Sequence, residues 1–255
     1  MARSTHMKTS MAEVTPDRIV VRGLDLADEL IGRTTTAEFF YVLLTGSRPS
    51  ATQARILDAC IVAIGEHGLV PSVQAARMTY ACAPEAFQGA VAAGLLGAGS
   101  VVLGSSETTA RALKQIVDLA ADDDLDGAAK SVLQQLKDQG AAAPGVGHPV
   151  HKAGDPRAAR LLEFTESLGA QGVHTSALHA MTRAVPLVYG RELPLNVSGA
   201  IPAALLDVGF PLRAMKGVPL VGRTMSLVAH LLEEMDSPMG FGLASAAEAA
   251  VTYEP

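Results

Sequence analysis

Gly145-Val-Gly-His-Pro-Val-His-Lys-Ala-Gly-Asp-Pro-Arg157 is the stretch with the densest chemistry: two histidines, a lysine, an aspartate and an arginine behind a glycine-rich entry. No helix or strand periodicity requires that set, and it suits a small anionic ligand. Gly145 and Gly147 give a backbone that a ligand can approach closely. His148, directly after them, can hydrogen-bond or exchange a proton near neutral pH. His151 would face a similar way if the loop were helical, which raises a two-histidine zinc site. No third ligand of matching spacing follows, so no metal is expected. Lys152 reads as a charge at the mouth of the site, because an amine needs burial to become a nucleophile. Asp155-Pro156 is a helix start, with Asp as N-cap and Pro at the first helical position. Arg157 therefore falls in the first turn, where its guanidinium and the free backbone N–H groups can face one anion.

Arg223, in Val221-Gly-Arg-Thr-Met225, lies on an otherwise apolar helix. A buried arginine requires an anion, either a core carboxylate such as Glu233 or Glu234 or a ligand's carboxylate or phosphate. His67, at a helix end before Gly68, reads by itself as a capping or surface histidine. His174, His179 and His230 lie within helices and read as structural. No phosphate-binding loop, nucleophile elbow or dinucleotide fingerprint is present.

These residues must be positioned by helices. Thr34-Thr-Thr36 caps a helix over 37–44 that Gly46 stops, and Ser50 caps a second that ends near Glu66-His67-Gly68. Pro71 opens a third to about Cys82. The run from Phe87 to Gly99 carries Gly89, Gly94, Gly97 and Gly99, each costing ~1 kcal/mol in a helix; close packing is the compensation, at a subunit interface or inside the chain. Helices follow over 105–119, 127–136, 156–169, 174–188 with an interruption near Pro186, 200–208, and about 212–234 with a break at Gly217-Val-Pro219. Residues 1–16 read as irregular, 18–26 as a strand or a lead-in to a helix, and Asp122-Asp-Asp124 as a solvated turn. With ten to twelve helices, no run of strands and no internal repeat, the fold class is all-α.

Composition agrees. Of 255 residues 49% are hydrophobic, yet only 4% are aromatic and none is Trp, so Ala, Leu, Val and Met must fill helix-packed cores. The net charge of −6, with Lys and Arg scattered, argues against nucleic acid as a partner. The opening residues lack the apolar segment of a secretory signal, and no apolar run reaches the ~18 residues of a membrane span. Cys60 and Cys82 read as reduced core thiols, in keeping with a cytoplasmic protein.

The loop also resembles a family motif. Gly145 to Ala158 is similar to the loop of the citrate synthase superfamily that reads Gly-Phe-Gly-His-Arg/Pro-Val-Tyr/His-Lys and then Asp-Pro-Arg-Ala, most closely in its short members, the citryl-CoA lyases and the citrate-synthase-like module of ATP-citrate lyase. Phe39 to Pro49, Glu66 to Ser72 and Val221 to His230 resemble further family stretches, so the likeness covers about residues 18–235. It implies an all-α fold, with a large helical domain (18–104 and 200–255) and a small domain (105–199) closing over the ligand. It implies a homodimer or higher homo-oligomer, no permanently bound cofactor, and a CoA thioester and a dicarboxylate as small-molecule partners. The implied activity joins or cleaves the carbon–carbon bond between acetyl-CoA and oxaloacetate or a related 2-oxo acid. His148 would then hydrogen-bond the substrate hydroxyl or carbonyl and exchange its proton. Arg157 and Arg223 would clamp carboxylates, with His67 and Asn196 also on the substrate side and Gly145, Gly147 and Lys152 on the CoA side. Two departures stand out. No histidine occurs near Val102 to Ser105, where the family's first catalytic histidine falls, and the acid/base aspartate of Asn-Val-Asp is replaced by Ser198, which cannot ionise. Asp207 lies two to three helical turns on and is a poor substitute. A catalytically divergent or inactive CoA-ester or dicarboxylate binder is the alternative.

Overall fold

The computed structural model describes residues 7–254 apart from Ser100, Val102 and Pro149, with every side chain except that of Asp123. The expectations placed on residues 1–6 and on position 102 lie outside the described residues. Two compact units are present, Met1–Asp58 and Ala59–Pro255.

In the first unit, strands β1 (Ala12–Val14), β2 (Ile19–Val21) and β3 (Leu24–Asp25) form an antiparallel sheet in that order, with Glu13 opposite Val20 and Val21 opposite Leu24. The irregular segment expected before residue 17 is thus partly strand: its pairing with the apolar Ile19–Val21 run supplies the hydrogen bonds that its own sequence pattern does not advertise. Helix α1 (Thr36–Thr45) begins with a reciprocal capping box between Thr35 and Glu38 and ends at Gly46, whose φ of 77° completes the stop. Helix α2 (Ala51–Gly65) starts in this unit, where Ser50 and Gln53 cap each other, and ends in the second.

The second unit holds the remaining helices: α3 (Pro71–Cys82), α4 (Phe87–Leu96), α5 (Ser105–Leu119), α6 (Leu125–Asp138), α7 (Pro156–Ser167), α8 (Val173–Tyr189), α9 (Val197–Asp207), α10 (Gly217–Asp236) and α11 (Gly240–Ala249). The all-α expectation holds, with one small sheet added. Helices α3, α4 and α10 close on a cluster of Val73, Ala76, Ala90, Leu227 and Leu231. At Gly94 a Cβ would lie 2.7 Å from Leu227 and 2.8 Å from the Ser72 carbonyl, so this glycine serves close packing inside the chain. Helices α5, α6, α8 and α9 enclose a second core that includes Leu113, Ile116, Leu133, Leu178 and Met181, and α7 packs on α9.

Three expectations are corrected. Helix α8 runs through Pro186 to Tyr189; the proline sits in the last turn, where only the hydrogen bond it cannot donate is lost. Gly217-Val-Pro219 is the first turn of α10 rather than a break within it, as fits a proline near a helix start. Cys82, the last residue of α3, is exposed, whereas Cys60 is buried and its thiol is pushed up by desolvation.

Candidate active site

Three segments of the second unit converge. The turn after α2 carries His67, the loop before α7 carries His148 and His151, and α10 carries Arg223. The rings of His67, His148 and His151 have centroids 4.5–5.4 Å apart, and His67 Nε2 lies 3.2 Å from His151 Nε2. One nitrogen from each ring falls within 4.8 Å of the others, the one such cluster of three metal-type ligands among the described residues. The third imidazole, absent from the local spacing, thus comes from 84 residues away in sequence.

The loop is held by its own glycines and by the strand-like entry to α9. Val146 forms an isolated bridge with Leu195, Gly147 N–H donates to the Pro194 carbonyl at 2.7 Å, and Asn196 N–H donates to the Gly145 carbonyl at 3.1 Å. Gly145 and Gly147 have φ of 73° and 77°, a region that disfavours side chains. A Cβ on Gly199 would sit 2.6 Å from the Gly145 carbonyl oxygen, so the loop lies directly on the first turn of α9. The Asn196 side chain is occupied at both ends: Nδ2 donates to the Gly147 carbonyl at 2.6 Å, and Oδ1 accepts from Ser198 N–H at 2.9 Å. It therefore positions the loop, with one Nδ2 proton and one Oδ1 lone pair beyond those two bonds. The Gly145 and Gly147 carbonyls and the Gly147 N–H are likewise engaged within the chain.

His148 Nδ1 accepts from the backbone N–H groups of Val150 and His151, each at 3.1 Å. A neutral ring with Nδ1 so engaged carries its proton on Nε2. It presents a donor, and binding a metal through Nε2 would require displacing that proton. His148 and His67 both titrate below the usual histidine value: burial disfavours the cation in each. The neighbouring histidine His151 and the positive Arg157 reinforce this, while Asp155 opposes it.

Asp155 is buried and is the hub of this region. Oδ1 accepts from the backbone N–H and Nε of Arg157, both at 3.0 Å; Oδ2 accepts from Arg157 Nη2 at 2.8 Å and from Val197 N–H at 2.9 Å. Against the upward push of burial, the Arg157 guanidinium and these N–H groups hold the carboxyl at about 2. The Arg157 backbone N–H expected to face an anion is thus taken by the cap, and the guanidinium already has one bidentate partner. Arg157 also borders an apolar cavity of about 460 Å³ between the second half of α2 and the Pro156–Phe164 face of α7, shared with Val62, Arg160 and Phe164.

Arg223 is only 3% exposed, and its Nε and Nη1 have no hydrogen-bond partner among the described residues. Burial lowers its basicity and the charge of Arg157 adds to this, while Glu66 opposes both. Glu233 and Glu234, the carboxylates that Arg223 could have paired with, belong instead to Arg77, and only Glu234 is a core residue, Glu233 being exposed. That fully buried arginine donates from Nη1 to Glu234 Oε2 at 3.0 Å and from Nη2 to Glu233 Oε2. Arg77 Nη2 also lies 2.8 Å from His230 Nδ1, and His230 Nε2 lies 3.1 Å from Glu66 Oε2. Glu66 accepts in addition from Ser226 Oγ at 2.5 Å and from Gly68 N–H. Helix α10 thereby anchors the turn that carries His67, with the structural histidine His230 as the link.

Ser198 is half-buried in the first turn of α9 and has no ionisable group. Asp207 cannot substitute for it. Its carboxylate accepts from Gly172, His174 and Thr175 N–H and from Thr175 Oγ, and it pairs with His174, capping α8. Lys152 is exposed beside a different cavity of about 590 Å³, bordered also by Arg183, Glu192 and Leu193. Sequence reasoning missed Arg77, Glu66 and the hub role of Asp155. Arg77 left a signal, since it follows Val73 by four residues on the apolar face of α3.

Comparison with known proteins agrees with this fold. Residues 7–240 match the family described as citrate synthase, C-terminal domain. The chain is 26% identical over 217 residues to a citrate synthase of Haloferax volcanii, covering 84% of this chain and 55% of the other. It spans about half the length of the curated relatives it matches. The citryl-CoA lyase of Hydrogenobacter thermophilus superposes with a TM-score of 0.84 at 28% identity, covering 98% of this chain and 95% of that one. The ATP citrate lyase of Methanothrix soehngenii, solved with citrate and coenzyme A, has the same fold over 100% of this chain and 43% of its own, with a TM-score of 0.79 at 20% identity. Among the described residues no helix is long and apolar enough to cross a membrane.

Proposed function

Because this chain belongs to the citrate synthase family, we propose that it is a citryl-CoA lyase-like enzyme of the cytoplasm, cleaving citryl-CoA or a related 3-hydroxyacyl-CoA to acetyl-CoA and a 2-oxo acid, or running the reverse condensation. The observation that carries this reading is Arg223, a buried cation with two unpartnered N–H-bearing nitrogens on the helix that anchors His67. Leaving such donors unsatisfied is costly, and a ligand carboxylate removes the cost. The likeness to a citryl-CoA lyase over nearly the full length of both chains supports the lyase direction.

In this reading Arg223 binds a carboxylate of the dicarboxylate half, and Arg157, held by Asp155, adds positive charge beside it. The His148 Nε2–H donates to the substrate oxygen that is a hydroxyl before cleavage and a carbonyl after it. Such a donor stabilises the developing charge on that oxygen. Lys152, beside its own cavity, meets the CoA portion by charge. No permanently bound cofactor enters, and the chain works as a homodimer or higher homo-oligomer, its small domain (105–199) closing on the remainder.

Incubating purified protein with citryl-CoA and following 2-oxo acid release tests this. Release that His148→Ala abolishes is expected. Ser198, which cannot ionise, favours one second reading, a CoA-ester or dicarboxylate binder without turnover; saturable CoA binding with no release from any variant would select it.

A further inference from the structure

Retro-aldol cleavage requires one proton taken from a hydroxyl and one delivered to a carbon, and most polar groups near the loop are already committed elsewhere. Ser198 cannot ionise, Asp207 caps α8, and Asp155 is held as a carboxylate by Arg157 and Val197. Glu66 accepts from Ser226, His230 and Gly68. His148 has its Nδ1 lone pair occupied by two backbone N–H groups. What remains is the contact of His67 with His151.

Resting on the lyase reading, we infer that His67 and His151 form one acid/base pair, replacing the ionisable group that position 198 lacks. Their Nε2 atoms are 3.2 Å apart, so at neutral charge one ring donates and the other offers its lone pair. Neither has a carboxylate partner among the described residues, so no anion pins the proton to either ring. Arg157 and Asp155 act on His67, and the His148 ring lies beside both members of the pair.

The ring that donates in the pair takes the hydroxyl proton at its Nδ1 while its Nε2 proton moves to the Nε2 of the other ring. The O–H electron pair becomes the new carbonyl bond, the carbon–carbon bond breaks, and its pair passes into the acetyl-CoA enolate. The other ring, now a cation, gives its Nδ1 proton to the enolate carbon, forming the methyl C–H bond, and both rings end neutral. One proton has entered the pair and one has left it, and return of the proton across the Nε2 contact, with exchange of the Nδ1 protons with water, resets it. No outside oxidant, reductant or co-reactant is involved.

The test is citryl-CoA cleavage by the full chain carrying His151→Ala, with exogenous imidazole as the rescuing base. The expected result is a kcat lowered by about 10²–10⁴-fold, the usual span for loss of a general acid/base, with KM changed only a few-fold. Imidazole should restore part of kcat, more strongly as pH rises through its own titration. A second readout is deuterium exchange into the methyl group of acetyl-CoA in D2O, which the variant should lose and imidazole recover. Should His151→Ala prove unstable, His67→Ala must show the same rescue. Cleavage by the wild type combined with a fully active variant, or with an impaired one that imidazole does not help, overturns the inference alone. No cleavage by the wild type overturns the lyase reading, and the inference with it.

Discussion

Asp155 and Arg157 form a two-point pair, Nε to Oδ1 at 3.0 Å and Nη2 to Oδ2 at 2.8 Å, in which the acid also caps α7 and accepts the Val197 N–H at the start of α9. One buried carboxylate therefore fixes a candidate ligand arginine and ties together the two helices that frame the loop. Asp155→Asn should destabilise the protein by roughly 2 kcal/mol at neutral pH, from the depressed carboxyl pKa. A group with a lowered folded pKa stabilises above its unfolded value and loses that contribution as pH falls. The difference between wild type and variant should therefore be full above about pH 4 and shrink toward pH 2. Urea titrations at several pH values measure it, and a constant difference across that window would contradict the assignment.

The two buried arginines predict opposite behaviour. Arg77 pairs through both Nη groups with Glu233 and Glu234, its Nε alone lacking a partner among the described residues, so Arg77→Met strands the buried Glu234 carboxylate and should cost about 3–5 kcal/mol. Arg223 has unsatisfied donors, so Arg223→Met should leave the ligand-free protein as stable as wild type or raise its melting temperature. The same change should abolish the stabilisation conferred by a citrate-type ligand. Thermal scans with and without ligand separate the cases, and a large loss of stability in ligand-free Arg223→Met would mean that an anion within the protein satisfies Arg223.

Gly199 offers a steric test of the loop. An added methyl would sit 2.6 Å from the Gly145 carbonyl oxygen, backbone that cannot swing aside as a flexible side chain would. Gly199→Ala should cost about 1–3 kcal/mol as an overpacked site. It should also lower cleavage, because the displaced segment carries His148. Gly154→Ala probes strain without a clash, since φ there is 142° and no atom lies within 4 Å of the added carbon. Comparing kcat and urea midpoints for the two variants tells displacement of the loop from simple backbone strain.

The helices were legible because their punctuation is local. Thr35 with Glu38, Pro71, Asp155-Pro156 and Gly46 mark ends through bonds made within one turn. The loop was legible for a similar reason, as polar residues crowded into a glycine-rich segment. What the sequence hid is pairing at long range. Whether Arg223 or Arg77 owns Glu233 and Glu234 depends on how α3 meets α10, and both arginines lie on apolar helix faces. His67 reads as a cap until α10 and the loop bring it beside His151. Nothing local in the sequence shows that the Asn196 amide bridges Gly147 and Ser198.

The pH dependence of cleavage follows from the same cluster. His67 and His148 are shifted down first by burial, then by positive neighbours, so both are neutral at pH 7 and lose that form only below the ordinary value of 6.5. kcat/KM should hence be flat near neutrality and fall on an acid limb below 6.5. Arg157 pushes both rings down, so Arg157→Met should move the limb to higher pH. Asp155 pushes them up, so Asp155→Asn should move it to lower pH. Stability carries the same sign: rings that resist protonation when folded bind fewer protons than the unfolded chain, so stability declines as pH drops through 6.5. Profiles from about pH 4.5 to 8 for the three proteins give the answer. Opposite displacements by the two variants are required, because loss of folding alone would lower activity in both without separating their limbs.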